Sequence, residues 1–127
     1  MRKIFQYRSH DGETPIECFI NGLEPKTYKK IITLMLTVAT GNDTLREPYV
    51  KAFRLERYKG LYEFRAKMVK LIRIIFYLTK EGDIVLLCAF IKKHDRATEY
   101  ALEVSRSRVS EINSGWADKI IYGGMQE

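Results

Sequence analysis

The residues best suited to chemistry in this chain are cations held close to one carboxylate. Glu63 and Arg65 stand two apart in Leu61-Tyr62-Glu63-Phe64-Arg65-Ala66-Lys67. Arg73 interrupts the otherwise apolar run Leu71-Ile72-Arg73-Ile74-Ile75-Phe76-Tyr77-Leu78. Lys92, Lys93 and His94 close a third apolar run that begins at Ile84. A guanidinium in the middle of a sheet loses its hydration and needs either an anionic partner or a wet cleft. Two readings of Arg73 follow: an ion pair with Glu63 across neighbouring strands, or a phosphate site. Arginine grips phosphate through two parallel bonds, and lysine serves it as a point charge. Lysine and histidine can also pass protons.

The charge distribution favours a polyanionic partner. The 127 residues carry 22 Lys and Arg against 16 Asp and Glu, a formal net charge of +6. Residues 51–80 alone hold nine basic and two acidic residues, so this segment accounts for the whole surplus. A concentrated positive segment is the electrostatic footprint of a nucleic-acid partner, although solvated lysine-rich surfaces have the same composition. Lys51, Arg54 and Lys67 are therefore candidate contacts to a polyanion, beside Tyr77 and His94. Neither histidine has a second His or Cys at ligand spacing, and no glycine-rich phosphate loop or nucleophile elbow is present. No metal site and no cofactor are expected.

These side chains must be positioned by a sheet. Successive strand residues point to opposite faces. Tyr62, Phe64 and Ala66 share one face, as do Ile72, Ile74, Phe76 and Leu78. The opposite face then collects Glu63, Arg65, Lys67, Arg73 and Tyr77 on adjacent strands. Period-two patterning predicts strands at 50–56, 61–67, 70–79 and 83–92, after an opening strand at 2–8. Lys80-Glu81-Gly82-Asp83 reads as a hairpin turn.

Two helices come before the strands. Thr14-Pro15-Ile16-Glu17 gives a threonine N-cap, proline at the first helical position and glutamate placed to close a capping box. The second helix runs from Pro25 to about Ala39, with Tyr28, Ile31, Ile32, Met35, Leu36 and Ala39 spaced three and four apart. This helix hairpin is expected to cover the apolar sheet face and leave the charged face free. A last helix is expected at about 97–113, and residues 114–127 form a tail with no clear element. The expectation is one α+β domain over 1–113, with an N-terminal strand and helix hairpin packed on a mainly antiparallel sheet of about four to five strands, then a C-terminal helix.

Length and composition bound the rest. The chain suits one domain with one modest core. Its longest apolar run, Ile84–Ile91, is far below the roughly 20 residues needed to span a bilayer. Met1-Arg2-Lys3-Ile4-Phe5 has no long apolar segment, and the two cysteines, Cys18 and Cys88, are far apart. Buried thiols, a cytoplasmic location and no membrane partner are expected.

Gly60-Leu61-Tyr62-Glu63-Phe64-Arg65, Ile72-Arg73-Ile74-Ile75-Phe76-Tyr77 and Ile84-Val85-Leu86-Leu87-Cys88-Ala89-Phe90-Ile91-Lys92-Lys93 resemble three consecutive strands of the RelE/ParE toxin superfamily. The closest likeness is to its HigB branch and the phage-derived toxin-like group. Pro15-Ile16-Glu17-Cys18-Phe19-Ile20 resembles the opening helix of that family, and the likeness covers about residues 2–112. Two departures stand out: Ala97-Thr98 replaces a common Thr-Pro pair, and the stretch Arg54–Lys59 is longer than usual.

The resemblance implies a RelE-like fold and the toxin of a type II toxin–antitoxin pair. It implies an mRNA interferase that cleaves mRNA on the ribosome without a metal and so inhibits translation. The implied partner is a cognate helix-turn-helix antitoxin of the HigA kind. Arg65 and Arg73 match the family's strand arginines, Lys92 and Lys93 its paired lysines, and Glu63 its acidic position. In such chemistry the substrate's 2′-hydroxyl attacks the adjacent phosphate to give a 2′,3′-cyclic phosphate. The resemblance equally admits a ParE-like gyrase poison, and the charged groove alone admits a non-catalytic binding module.

Overall fold

A computed structural model describes residues 1–66 and 71–123. The order is β1 (Ile4–Arg8), α1 (Pro15–Asn21), α2 (Pro25–Thr40), β2 (Val50–Ala52), a 3-10 turn (Glu56–Tyr58), β3 (Leu61–Ala66), β4 (Ile72–Leu78), β5 (Ile84–Ile91), α3 (Asp95–Ser114) and β6 (Asp118–Ile121). The described strands form one sheet in the order β2-β3-β4-β5-β1-β6. Only β1 and β5 run parallel; the other neighbours are antiparallel. The expected α+β architecture is the observed one.

The β4–β5 hairpin turns where the sequence indicates. Gly82 supplies a positive φ of 87°, and its N–H donates to the Thr79 carbonyl at 2.9 Å. The register slips by one residue between Ile75 and Phe76, so Leu87 is bulged. The Arg108 guanidinium reaches down from α3 and donates to the Leu87 carbonyl at 2.6 Å. A bulge that leaves the ladder locally unpaired is thus tied to the helix above it.

The apolar alternation of β3 and β4 packs as expected against the helix hairpin. Phe64, Ile72, Ile74, Phe76, Ile84 and Leu86 meet Ile16, Ile20, Ile31, Met35 and Val38 in the main core. The rings of Phe64 and Phe76 lie 4.4 Å apart, and Tyr62 stacks on Phe76 at 5.4 Å.

Six local expectations are corrected. The sheet's second face is not free: Ala101 and Leu102 of α3 bury Tyr58, Leu61, Ile75, Val85 and Leu87 in a second core. The strand expected over 50–56 stops at Ala52, because the chain leaves the ladder to turn Tyr58 inward under α3. The capping box does not form: Thr14 makes no side-chain cap bond, and Glu17 accepts instead from Gln6 Nε2 at 2.9 Å. Helix α3 starts two residues early, where Asp95 in its first turn complements the helix dipole. Finally, the stretch without a clear element yields β6: Gly115 at φ 83° ends α3 and lets the chain double back beside β1. Cys18, expected to be buried, is exposed on α1, and Cys88 is half-buried.

Candidate functional site

The central residue of the site is Glu63. It lies in β3 opposite Ile75 of β4 and Lys51 of β2, and it is only 2% exposed. Two residues along, Arg65 and Arg73 face each other across the same ladder. Like charges directly opposite repel, and the Glu63 carboxylate relieves this. Its Oε1 lies 3.5 Å from Arg73 Nε and 3.6 Å from Arg65 Nε. Arg65 also meets Glu47 Oε1 at 3.4 Å. These separations make ion pairs but exceed normal hydrogen-bond lengths. Glu63 Oε2, Arg65 Nε and Arg73 Nε are buried without a hydrogen-bond partner among the described residues.

The electrostatics are correspondingly tense. Burial pushes the Glu63 carboxyl above the usual carboxylate range, against the pull of Arg73, Arg65, Lys92 and Lys51. Four cations thus act on this one buried carboxylate, with the exposed Glu47 and Asp95 at the outer sides of Arg65 and Lys92. Arg73 is nearly enclosed, with 11% of its side chain exposed, while Arg65 and Lys92 retain 29% and 28%. Such a set can accept a second anion, because the cation surplus is in place before any ligand arrives.

Two clefts open beside this cluster and share Lys51, Leu55, Tyr58 and Leu102. The first, about 680 Å³, adds Arg46, Glu47 and Arg54 along its polar wall. The second, about 570 Å³, adds Lys92 and the first turns of α3. Lys51 thus stands at the junction of both clefts.

The structure brings together Glu63, Arg65, Arg73, Lys51 and Lys92, and it places Arg54 along the same groove. It does not bring in the other candidates. Lys93 and His94 are exposed beyond the end of β5, and alternation turns Lys93 away from Lys92. Tyr77 sits four residues along β4 from Arg73, roughly 13 Å at strand rise. There it packs in the second core, which raises its phenol pKa. Lys67 lies outside the described residues.

Sequence reasoning missed Tyr58 and Glu103. Tyr58 Oη donates to Glu103 Oε2 at 2.5 Å, and Arg57 grips the same carboxylate through two bonds of 2.7 and 2.8 Å. These bonds hold the Glu103 carboxyl down to about 2. The one local signal was an aromatic residue amid the charged stretch Arg54–Lys59; its partner on α3 is 45 residues away.

Among the described residues no group of three or more His, Cys, Asp or Glu is arranged to hold a metal ion. No helix among them is long and apolar enough to cross a membrane. No curated protein matches the chain. A family of phage-derived Gp49-like proteins (DUF891) matches residues 18–110, from α1 to most of α3, including every cation of the cluster. On that match the chain belongs to the phage-derived Gp49-like family, within the RelE/ParE-like toxin–antitoxin context.

Proposed function

We propose that the chain is the toxin of a type II toxin–antitoxin pair, and that it inhibits translation by cleaving mRNA on the ribosome without a metal. A cytoplasmic site of action and a helix-turn-helix antitoxin are parts of the same proposal. The observation that carries it is the buried Glu63 between Arg65 and Arg73, with Lys51 and Lys92 leading from it into open clefts. Membership of a phage-derived family in a toxin–antitoxin context supports the same reading.

In this reading the RNA 2′-hydroxyl gives its proton to solvent water, its oxygen bonds to the adjacent phosphorus, and the bond from phosphorus to the 5′-oxygen breaks. Arg73 and Arg65 stabilise the charge on the phosphorane. Lys92 protonates the departing 5′-oxygen, being a half-buried cation beside Glu63 that also lines the second cleft. Glu63 orients the two arginines and, through its raised proton affinity, sets the pH at which they are held. The expected products carry a 2′,3′-cyclic phosphate, read by mapping RNA ends after a translation reaction. A 2′-deoxy substitution at the cut nucleotide blocks cleavage. Intact mRNA with accumulated gyrase–DNA breaks would overturn the proposal.

A pH signature separates Glu63 from the other groups. Activity is expected to rise as pH climbs through the raised Glu63 pKa, since only the carboxylate fixes both arginines. Stability runs the other way. A carboxyl whose folded pKa lies above its unfolded value contributes stability that is full below the unfolded pKa and lost as pH rises through the folded one. Glu63→Gln should therefore lose the rising limb of activity and show a flatter dependence of stability on pH. Rate profiles and urea midpoints across pH 4–8, roughly the carboxylate range and above, test both. Unchanged profiles in the variant would remove Glu63 from this role.

A further inference from the structure

The second cleft holds chemistry that phosphate binding leaves unused. One wall is cationic, from Lys51 and Lys92. The floor is apolar, from Leu55, Tyr58 and Leu102. The start of α3 adds acceptors to the lining, Asp95, Thr98 and Glu99. A phosphate has no use for those acceptors.

The floor is rigid. Tyr58 cannot swing, because its hydroxyl is bonded to Glu103 and Glu103 is clamped by Arg57. The acceptors are uncommitted. Glu99 has no ion pair among the described residues, and Asp95 reaches only Lys92, at 3.9 Å. Thr98 Oγ1 is buried without a hydrogen-bond partner. Behind the cationic wall, Glu63 is 97% buried at its side chain and its Oε2 is likewise unpartnered. The site is thus a cleft whose lining combines a fixed apolar surface, the cations Lys51 and Lys92, and the uncommitted acceptors Glu99 and Thr98.

We propose that this cleft reads a guanine base of the RNA strand. The inference rests on the ribonuclease reading and adds its base preference. The phosphate lies against Lys51 and Lys92, the base ring lies on Tyr58 and Leu102, and its donor edge meets Glu99 and Thr98. The selection follows from base chemistry. Guanine carries two adjacent donors, N1–H and the N2 amino group, which one carboxylate accepts side by side. Adenine and cytosine each set an acceptor nitrogen beside their amino group, and uracil flanks its single N–H with two carbonyls. A carboxylate repels those acceptors. Single-stranded RNA is read in this way, by stacking and by bonds to the Watson–Crick edge.

The test uses the full chain and two readouts. Binding of 5′-GMP, AMP, CMP and UMP is measured by titration, and cleavage is mapped on an RNA of mixed sequence. The expected result is about tenfold tighter binding of GMP, within the range a well-placed base contact gives, and guanine enriched at one fixed position of the cut. Glu99→Gln and Thr98→Val should reduce both preferences severalfold, with folding verified by circular dichroism. Equal binding of the four nucleotides, or cleavage with no base preference, overturns the inference and leaves the ribonuclease standing. GMP preference without any RNA cleavage supports the subsite and removes the nuclease. A preference that persists in both variants overturns the assignment to Glu99 and Thr98. Neither binding nor cleavage overturns both.

Discussion

Arg73→Ala abolishes growth inhibition and lowers RNA cleavage by roughly 10²–10³-fold, the effect of removing one preorganised charge from a developing oxyanion. This is the expected result, and its interpretation turns on Glu63. Arg73 is one of two guanidinium partners of a buried carboxylate, at 3.5 Å. Removing one member of a buried pair costs about 3–5 kcal/mol when the other must stay charged. Glu63 has an escape, because burial already holds its pKa high and loss of Arg73 raises it further. It takes up a proton, so the variant's stability deficit is small in acid and grows as pH rises. The double variant Arg73→Ala with Glu63→Gln should recover stability near neutrality without recovering cleavage. Cleavage and growth arrest are compared with urea midpoints in all three proteins. A folded Arg73→Ala protein with full activity would sink the mechanism.

The second large effect lies on the other side of the same strand. Phe76→Ala is expected to cost about 3–5 kcal/mol, as large-to-small changes in a packed core do. Phe76 is fully buried and touches the rings of Tyr62 and Phe64. Against a typical total stability of about 5–15 kcal/mol, the loss lowers the melting temperature by roughly 10–20 °C. Phe76→Leu keeps more of the volume and should retain both fold and cleavage. The pair separates loss of scaffold from loss of site: Phe76→Ala activity returns on cooling or with a stabilising additive, whereas Arg73→Ala activity does not. Thermal melts alongside cleavage rates over temperature make the distinction.

Much of the arrangement was legible because it depends on local period. Ile72, Ile74 and Phe76 alternate with Arg73, so the strand itself dictates which face meets the helices and which carries the cation. Opposition of Arg65 and Arg73 follows from the short link between β3 and β4. What could not be read depends on residues distant in sequence. No local pattern says that Ala101 and Leu102 cover the charged face, since a helix stripe does not name its partner. The Asp118–Ile121 strand is four residues long, and its pairing with β1 is a contact between opposite ends of the chain. Glu17 had the spacing for a cap but found Gln6 instead. Lys93 and His94 were grouped with Lys92 by adjacency, although strand ends place neighbours on opposite sides. Tyr77 was assigned by face correctly, yet the face is shared between a cation cluster and an apolar core, and it falls on the apolar side.

The position of β1 within the sheet has a consequence for timing. Phe5 is made before both of its ladder partners, Val85 and Ile121. Strand β1 therefore waits, unpaired along both edges, until β5 and then β6 have been synthesised. Pairings this distant in sequence close slowly, because the loop entropy is lost before the contacts form. The arginines of β3 and β4 likewise precede Lys92 and the α3 cover that complete their surroundings. A growing chain thus carries its arginines before it carries a working cleft, and the enclosed geometry around Glu63 is reached only once α3 has been made.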